Sequence, residues 1–349
     1  MVIKPMSDVQ TEPDQFCYTK DGTYWVKHAA KDAFLPSLVQ VAHQPFWVKS
    51  RSYDPQAGGR RMVTIGFKDD ATGEERETRV SYEALYGDQK AVFAKFASVG
   101  LCIVDNRLAR EKVQTLLMTK LDEPVVPVAN SYGFYKDTGV FMLPEGPIVP
   151  EWHREPVPEL SADLSKNKDV ICQQGDLEGW KQLVEETKTA VNLFMVSFSL
   201  SCVMQGILKT EPIGVHLFGA SSNGKTNSMR LASSVWGISA SNGKAFWDKW
   251  STTVNGLELL CAARSGLLLI LDEIRQFSGN FETTAYLILN GVGKVRMNGS
   301  FEQADQLSWI LLLLSSGELS TAMMTKKTGG DVYTGAQIRV LDVPIEGVA

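Results

Sequence analysis

The run Gly219-Ala220-Ser221-Ser222-Asn223-Gly224-Lys225-Thr226 constrains this chain more than any other feature, because its residue types fit one backbone task. Small residues let consecutive N–H groups turn inward around an anion, and a helix opening behind them adds a partial positive charge. The flanks supply that setting. An apolar, strand-like run over residues 213–218 precedes the loop, and Ser228-Met229-Arg230-Leu231-Ala232-Ser233-Ser234-Val235 reads as a helix after it. A strand, a glycine-bounded loop ending Gly-Lys-Thr, and a helix form the pattern of a phosphate-binding loop. Gly219, Ala220, Ser221, Ser222, Asn223, Gly224, Lys225, Thr226 and the adjoining Asn227 are therefore candidate nucleotide contacts, with ATP and Mg²⁺ the expected ligands. Lys225 would reach the β- and γ-phosphates and the Thr226 hydroxyl would hold Mg²⁺. A Gly/Ser surface loop that binds nothing is the plainer alternative, and the flanking pattern argues against it.

A second element strengthens the reading. Leu267-Leu268-Leu269-Ile270-Leu271-Asp272-Glu273 is a continuous apolar run ending in two carboxylates. Such a run fits a strand covered on both faces in a parallel sheet. Asp272 would then face the crevice at the carboxyl end of the strand, where open α/β sheets bind ligands, and could hold the Mg²⁺ shell beside Thr226. Glu273 is the better candidate to polarise an attacking water. The alternative is a strand end followed by an acidic helix cap.

A length of 349 residues is enough for two domains with good cores, and 44% hydrophobic with 21% charged residues is ordinary globular composition. The net charge of −5 gives no global nucleic-acid footprint, so any DNA contact has to be local. Cys17, Cys102, Cys172, Cys202 and Cys261 are scattered, which argues against a zinc site or disulfide framework and for a reducing, cytoplasmic setting. The four histidines are equally dispersed and give His-based chemistry no support. The apolar stretch 191–208 is broken by Ser197, Ser199, Ser201 and Gln205 and reads as a buried helix rather than a membrane span.

Along the chain, residues 1–15 read as a frayed start. Strand-like pieces follow, including Tyr24-Trp25-Val26, Met62-Val63-Thr64-Ile65-Gly66-Phe67 and Glu77-Thr78-Arg79-Val80. Helical patterns cover 90–99 and 107–121, and Tyr132-Gly133-Phe134-Tyr135 with Val140-Phe141-Met142-Leu143 looks like a hairpin. Pro144, Pro147, Pro150, Pro156 and Pro158 fall in an irregular crossing segment. Residues 177–208 read as helical, and strands and helices alternate from Ile213 onward. The expected class is α/β: a parallel sheet flanked by helices over 177–349, a linker over 151–176, and an α+β N-terminal domain over 1–150 that binds DNA or forms a collar.

Three further constellations have two readings each. Gly291-Val292-Gly293-Lys294-Val295-Arg296-Met297-Asn298-Gly299-Ser300-Phe301-Glu302 carries the Asn-Gly hairpin signal, with Lys294 and Arg296 on one strand face. It is either a basic hairpin that tracks DNA phosphates in a ring-shaped motor or a solvated surface hairpin. Trp309-Ile310-Leu311-Leu312-Leu313-Leu314 is a second buried strand ending in Ser315-Ser316-Gly317-Glu318, where Ser316, or failing that Ser315, would sense the γ-phosphate; a plain strand-end turn is the alternative. Arg339 opens a last strand and either stabilises charge at a neighbour's γ-phosphate or pairs with Asp342 or another acid. Asn255 and Glu258 would cap the next helix or add polar groups near the site, capping being favoured.

Taken in order, His216 to Thr226, Ser234-Val235-Trp236-Gly237, Asn255-Gly256-Leu257-Glu258, Leu271-Asp272-Glu273-Ile274, Ser316-Gly317-Glu318, the segment from Arg339 to Pro344, and Gly133-Phe134 with Val140-Phe141-Met142-Leu143-Pro144 resemble one family. This is domain-of-unknown-function family nine-twenty-seven, found in prophage and mobile-element primase–helicase proteins. The resemblance implies an AAA+-like ATPase module similar in motif order to MCM-like and superfamily-three helicases, assembled as a hexameric ring around single-stranded DNA in a bacterial host. It implies roles for Lys225, Asp272, Glu273, Ser316 and a trans-acting Arg339, and a primase or polymerase as partner. Serine at the sensor position departs from the more usual asparagine. The C-terminal lid helices are not found after Arg339, so the chain reads as a fragment of a larger primase–helicase. An AAA+ loader or remodeller acting on proteins, and a non-catalytic DNA-binding ring held by ATP, are the rival functions.

Overall fold

The computed structural model describes residues 4–5, 16–27, 37–54, 59–119, 125–208, 210–221, 223–238, 245–277, 279–295, 306–327 and 339–345. The chain divides into two compact units, Met1–Val128 with Glu155–Glu159, and Ala129–Arg154 with Leu160–Ala349.

The first unit is α+β. Strands β1 (Lys4–Pro5), β2 (Phe16–Thr19), β3 (Gly22–Lys27) and β4 (Ser37–Ala42) form one sheet in that order. Strands β5 (Phe46–Asp54), β6 (Arg60–Lys68) and β7 (Glu75–Ser81) form an antiparallel meander, and β8 (Val125–Ala129) joins β5 in parallel. The chain then makes β9 (Gly133–Phe134) and β10 (Phe141–Met142), an antiparallel pair that belongs to the second unit, before β11 (Glu159–Leu160) completes the five-stranded sheet β11-β8-β5-β6-β7. Helices α1 (Tyr82–Tyr86), α2 (Gln89–Ser98) and α3 (Arg107–Met118) start on side-chain caps from Ser81, Asp88 and Asn106, each accepting a backbone N–H three residues on. Their apolar faces supply Leu85, Val92, Phe96, Ala109, Val113 and Leu116 to a core completed by Phe46, Val63, Ile65 and Phe67 of the sheet.

The second unit holds a five-stranded sheet in which every pairing is parallel. After α4 (Ala162–Ser165) come α5 (Leu177–Glu186) and α6 (Ala190–Leu208), where the sequence pattern predicts one helical stretch. The break falls at Thr187-Lys188-Thr189: Thr189 Oγ1 accepts from Asn192 N at 3.1 Å, and Asn192 Nδ2 donates to the Thr187 carbonyl at 2.7 Å. There follow β12 (Gly214–Phe218), α7 (Lys225–Ser233), β13 (Asp248–Lys249), α8 (Val254–Ala263), β14 (Leu268–Asp272), α9 (Phe281–Asn290), β15 (Leu312–Gly317), α10 (Thr321–Lys327) and β16 (Val340–Pro344). The sheet order is β13-β14-β15-β12-β16. The apolar runs become strands covered on both faces, with Leu268 to Leu271 and Leu313 to Leu314 wholly buried.

Two expectations change here. Residues 129–150 belong to the second unit, not the first. Tyr132 N donates to the Ser265 carbonyl at 2.8 Å, and the Tyr132 hydroxyl donates to the Leu164 carbonyl at 2.8 Å. Gly133 and Gly266 also meet backbone to backbone: a Cβ on Gly266 would lie 1.9 Å from the Tyr132 oxygen. Helix α6 is long and apolar enough to cross a membrane by length and composition, yet it is buried on one face only. Met195, Val196, Phe198, Ser199, Cys202 and Gln205 face inward, with Ser199 Oγ donating to the Ala232 carbonyl of α7, while Leu200, Met204, Ile207 and Leu208 are exposed.

Candidate functional site

The loop after β12, the tip of β14 and the tip of β15 all lie at the carboxyl edge of the parallel sheet. Register places Leu217 beside Ser316 and Leu271 beside Ser315, so Asp272 and Ser316 lie at one level with the strand end that feeds the loop. Strand β15 lies between β12 and β14, which separates the loop strand from the acidic strand by two spacings, about 10 Å.

Within the loop, Gly219 (φ +150°) passes so close to the chain after β16 that a Cβ would meet the Ile345 carbonyl oxygen at 2.5 Å. Gly224 (φ +88°) is the left-handed N-cap of α7, where no side chain caps the first helical N–H groups. Only glycine adopts these angles without strain. The Lys225 ammonium folds back on its own loop, donating to Gly219 O at 2.9 Å and Ala220 O at 2.6 Å. Asn223 Nδ2 donates to Ile345 O at 3.1 Å, and Thr226 and Asn227 are exposed. Ser222 lies outside the described residues.

Beside the loop, Ser316 Oγ donates to Asp272 Oδ1, which also accepts from Glu273 N at 2.9 Å. Glu273 takes left-handed angles (φ 61°, ψ 60°), a conformation that costs a non-glycine residue about 1 kcal/mol or more. Its carboxylate lies 3.5 Å from Lys249 Nζ at the end of β13 and accepts from Gln276 Nε2.

Of the two sensor candidates, Ser316 reaches Asp272 while Ser315 is committed to the interior. The His216 ring lies 3.0 Å from Ser315 Oγ through Nδ1 and 2.9 Å from the Leu319 carbonyl through Nε2, and Trp250 Nε1 donates to Ser315 Oγ at 2.9 Å. A carbonyl only accepts, so Nε2 carries the proton and Nδ1 accepts from Ser315. Burial pushes the His216 pKa down and keeps the ring neutral. Both serines lie inside β15, which ends at Gly317.

Charge complementarity continues at Glu318. Its Oε1 accepts from Ser221 Oγ of the loop at 2.7 Å, and its Oε2 from Arg275 Nη1. The Ser221 hydroxyl first, and Arg275 after it, hold this carboxyl below the usual carboxylate range. Sequence reasoning passed over Glu318, Arg275, Lys249 and His216 as participants. Each sits within three residues of a motif, but contacts between positions as distant as Ser221 and Glu318 leave no local pattern.

Arg339 stands at the other edge of the sheet. Arg339 precedes Val340, which pairs with Gly214 at the amino end of β12. It bonds Asn290 Oδ1, lies 3.6 Å from Glu211, and stacks its guanidinium 4.9 Å from the Tyr286 ring centre. It therefore does not join the loop within one chain. The suggested Asp342 partner is engaged elsewhere, accepting from Thr321 N and Oγ1 at the start of α10. Lys294 is exposed beyond an antiparallel stem in which Val292 bridges Ser308 and Gly293 N donates to Leu307 O at 2.8 Å. Arg296 and the Asn298-Gly299 turn lie outside the described residues. Thr253, not Asn255 or Glu258, caps α8; Glu258 is buried and accepts from Lys294 N at 3.3 Å.

A family profile described as a domain of unknown function, DUF927, matches residues 16–303, which take in the loop and the acidic strand. The chain belongs to the DUF927 family. No curated protein matches this DUF927 chain in sequence. Among solved structures, the SCCmec type IV Cch protein, titled an active helicase, aligns with a TM-score of 0.71 and 16% identity over 98% of this chain and 60% of that one. At that identity the likeness establishes a shared mixed α/β fold, and the DUF927 chain spans about 60% of the Cch length. The apo C-terminal region of NrS-1 aligns at a TM-score of 0.36 with 10% identity, over 85% and 59% of the two chains, too weak a likeness to carry an argument.

Proposed function

We propose that this DUF927 chain is an AAA+-like P-loop ATPase whose hydrolysis drives a DNA helicase or translocase of a phage or related mobile element. The observation that carries the reading is the meeting of the Gly219–Thr226 loop, Asp272, Glu273 and Ser316 at one carboxyl edge of a parallel sheet. That edge is where open α/β sheets bind ligands.

The residues fit a magnesium-bound triphosphate. The first N–H groups of α7 have no side-chain cap, and a Cβ on Gly224 would find open space. The Lys225 ammonium is held by two loop carbonyls, which it would exchange for charged phosphate oxygens. Thr226 and Asp272 would hold Mg²⁺, which neutralises charge on the phosphate oxygens when bound. Ser316 orients the Asp272 carboxylate. Glu273, half-exposed at the edge, accepts the proton of the attacking water.

Exposed Lys294 and the adjacent Arg296 form the proposed DNA contact, tracking phosphates without reading sequence. Self-association into a ring with ATP between subunits belongs to the same proposal. A neighbour's Arg339 completing the site would require that neighbour to approach by the amino edge of β16. The likeness to the Cch helicase fold favours nucleic acid over a protein substrate. Purified protein on a forked duplex tests this: ATP-dependent strand separation is expected, and ATP hydrolysis without any would favour the loader reading. ATPase activity unchanged by Glu273→Gln would favour the non-catalytic ring.

A further inference from the structure

A carboxylate bound to a phosphate-binding loop is at odds with the loop's own chemistry. Glu318 does this, joining Ser221 of the loop to Arg275 of the turn after β14. The bridge therefore ties together the three segments that meet at the site. It also places a negative charge beside the loop that would receive a triphosphate, and like charges this close repel. A guanidinium one carboxylate removed from the loop is well placed for phosphate, since Arg matches phosphate oxygens as readily as a carboxylate.

We propose that Glu318 is a positioning residue that latches the empty loop through Ser221, and that a bound triphosphate displaces it and takes over Arg275 as a cis contact to its terminal phosphate. The site then distinguishes triphosphate from diphosphate by that exchange. This inference rests on the phosphate-loop reading. Ser221 and Arg275 keep Glu318 ionised below the ordinary carboxylate range, so the latch is charged throughout neutral pH. Nearby Lys225 adds to the same attraction, and its own bonds to loop carbonyls mark the latched state.

Binding of a fluorescent, non-hydrolysable triphosphate analogue and of the matching diphosphate, measured on the full chain, tests the exchange. Glu318→Gln keeps an acceptor for Ser221 and removes the charge at a side chain 40% exposed, so folding is preserved. It should tighten the triphosphate about fivefold, the size of one unit-charge repulsion in a wet site, and change the diphosphate less than about twofold. Arg275→Met should weaken the triphosphate by a similar factor and spare the diphosphate. Equal shifts for both nucleotides, or no shift in either variant, would overturn the latch. If the wild type binds neither nucleotide, or Lys225→Ala binds as well as wild type, the phosphate-loop reading itself fails and takes the latch with it.

Discussion

At the scale of single residues, the two adjacent serines of β15 have separate tasks. Ser316→Ala removes the hydroxyl that orients Asp272 and should lower ATP turnover about tenfold, with melting temperature held. Ser315→Ala leaves His216 Nδ1 and Trp250 Nε1 without their shared partner in a buried site, and should cost about 1–3 kcal/mol in denaturant unfolding. His216 adds a pH signature. Its folded pKa lies below the ordinary value near 6.5, because burial outweighs the Leu319 carbonyl and Asp342, which favour the cation. The unfolded chain therefore takes up the proton first, and stability present above about pH 6.5 is lost as pH falls from there toward the lowered folded value. The fall in melting temperature between pH 7.5 and 5.5 should be smaller in His216→Gln than in wild type. Arg339→Ala gives up its Tyr286 and Asn290 contacts and should cost about 1 kcal/mol in denaturant unfolding.

At the scale of elements, the steric lock between Gly133 and Gly266 predicts its own failure. Gly266 sits at φ +87° against the Tyr132 carbonyl, so Gly266→Ala must move one backbone off the other and should cost about 3 kcal/mol or more in chemical denaturation. The same contact explains why residues 129–150 misled the sequence reading: the β9–β10 hairpin pattern was plain, but its docking depends on two glycines far apart in the chain. The buried strands and the loop were readable because four- to six-residue apolar runs between turn signals have few other homes. The half-open face of α6 was not, since Ser199 and Gln205 point inward while Leu200, Met204 and Ile207 point out. The Glu318 bridge and the Glu258 anchor of Lys294 are contacts between elements, which no periodicity encodes.

At the scale of the whole molecule, the proposed motor separates chemistry from DNA contact. Lys294→Ala with Arg296→Ala should leave ATP hydrolysis within about twofold of wild type and abolish strand separation on a forked substrate. Unwinding at the normal rate by that double variant would remove the basic stem from the motor. The two functions are nonetheless joined by one piece of chain. Strand β15 carries Ser316 near one end, and just before its other end Trp309 N bonds Gly291 O at 2.8 Å, at the root of the stem. Six extended residues reach about 20 Å. Clamped between neighbours on both sides, that length would serve the proposed motor as a pushrod rather than a tether, carrying a displacement at its proposed nucleotide end to the stem with little slack to absorb it.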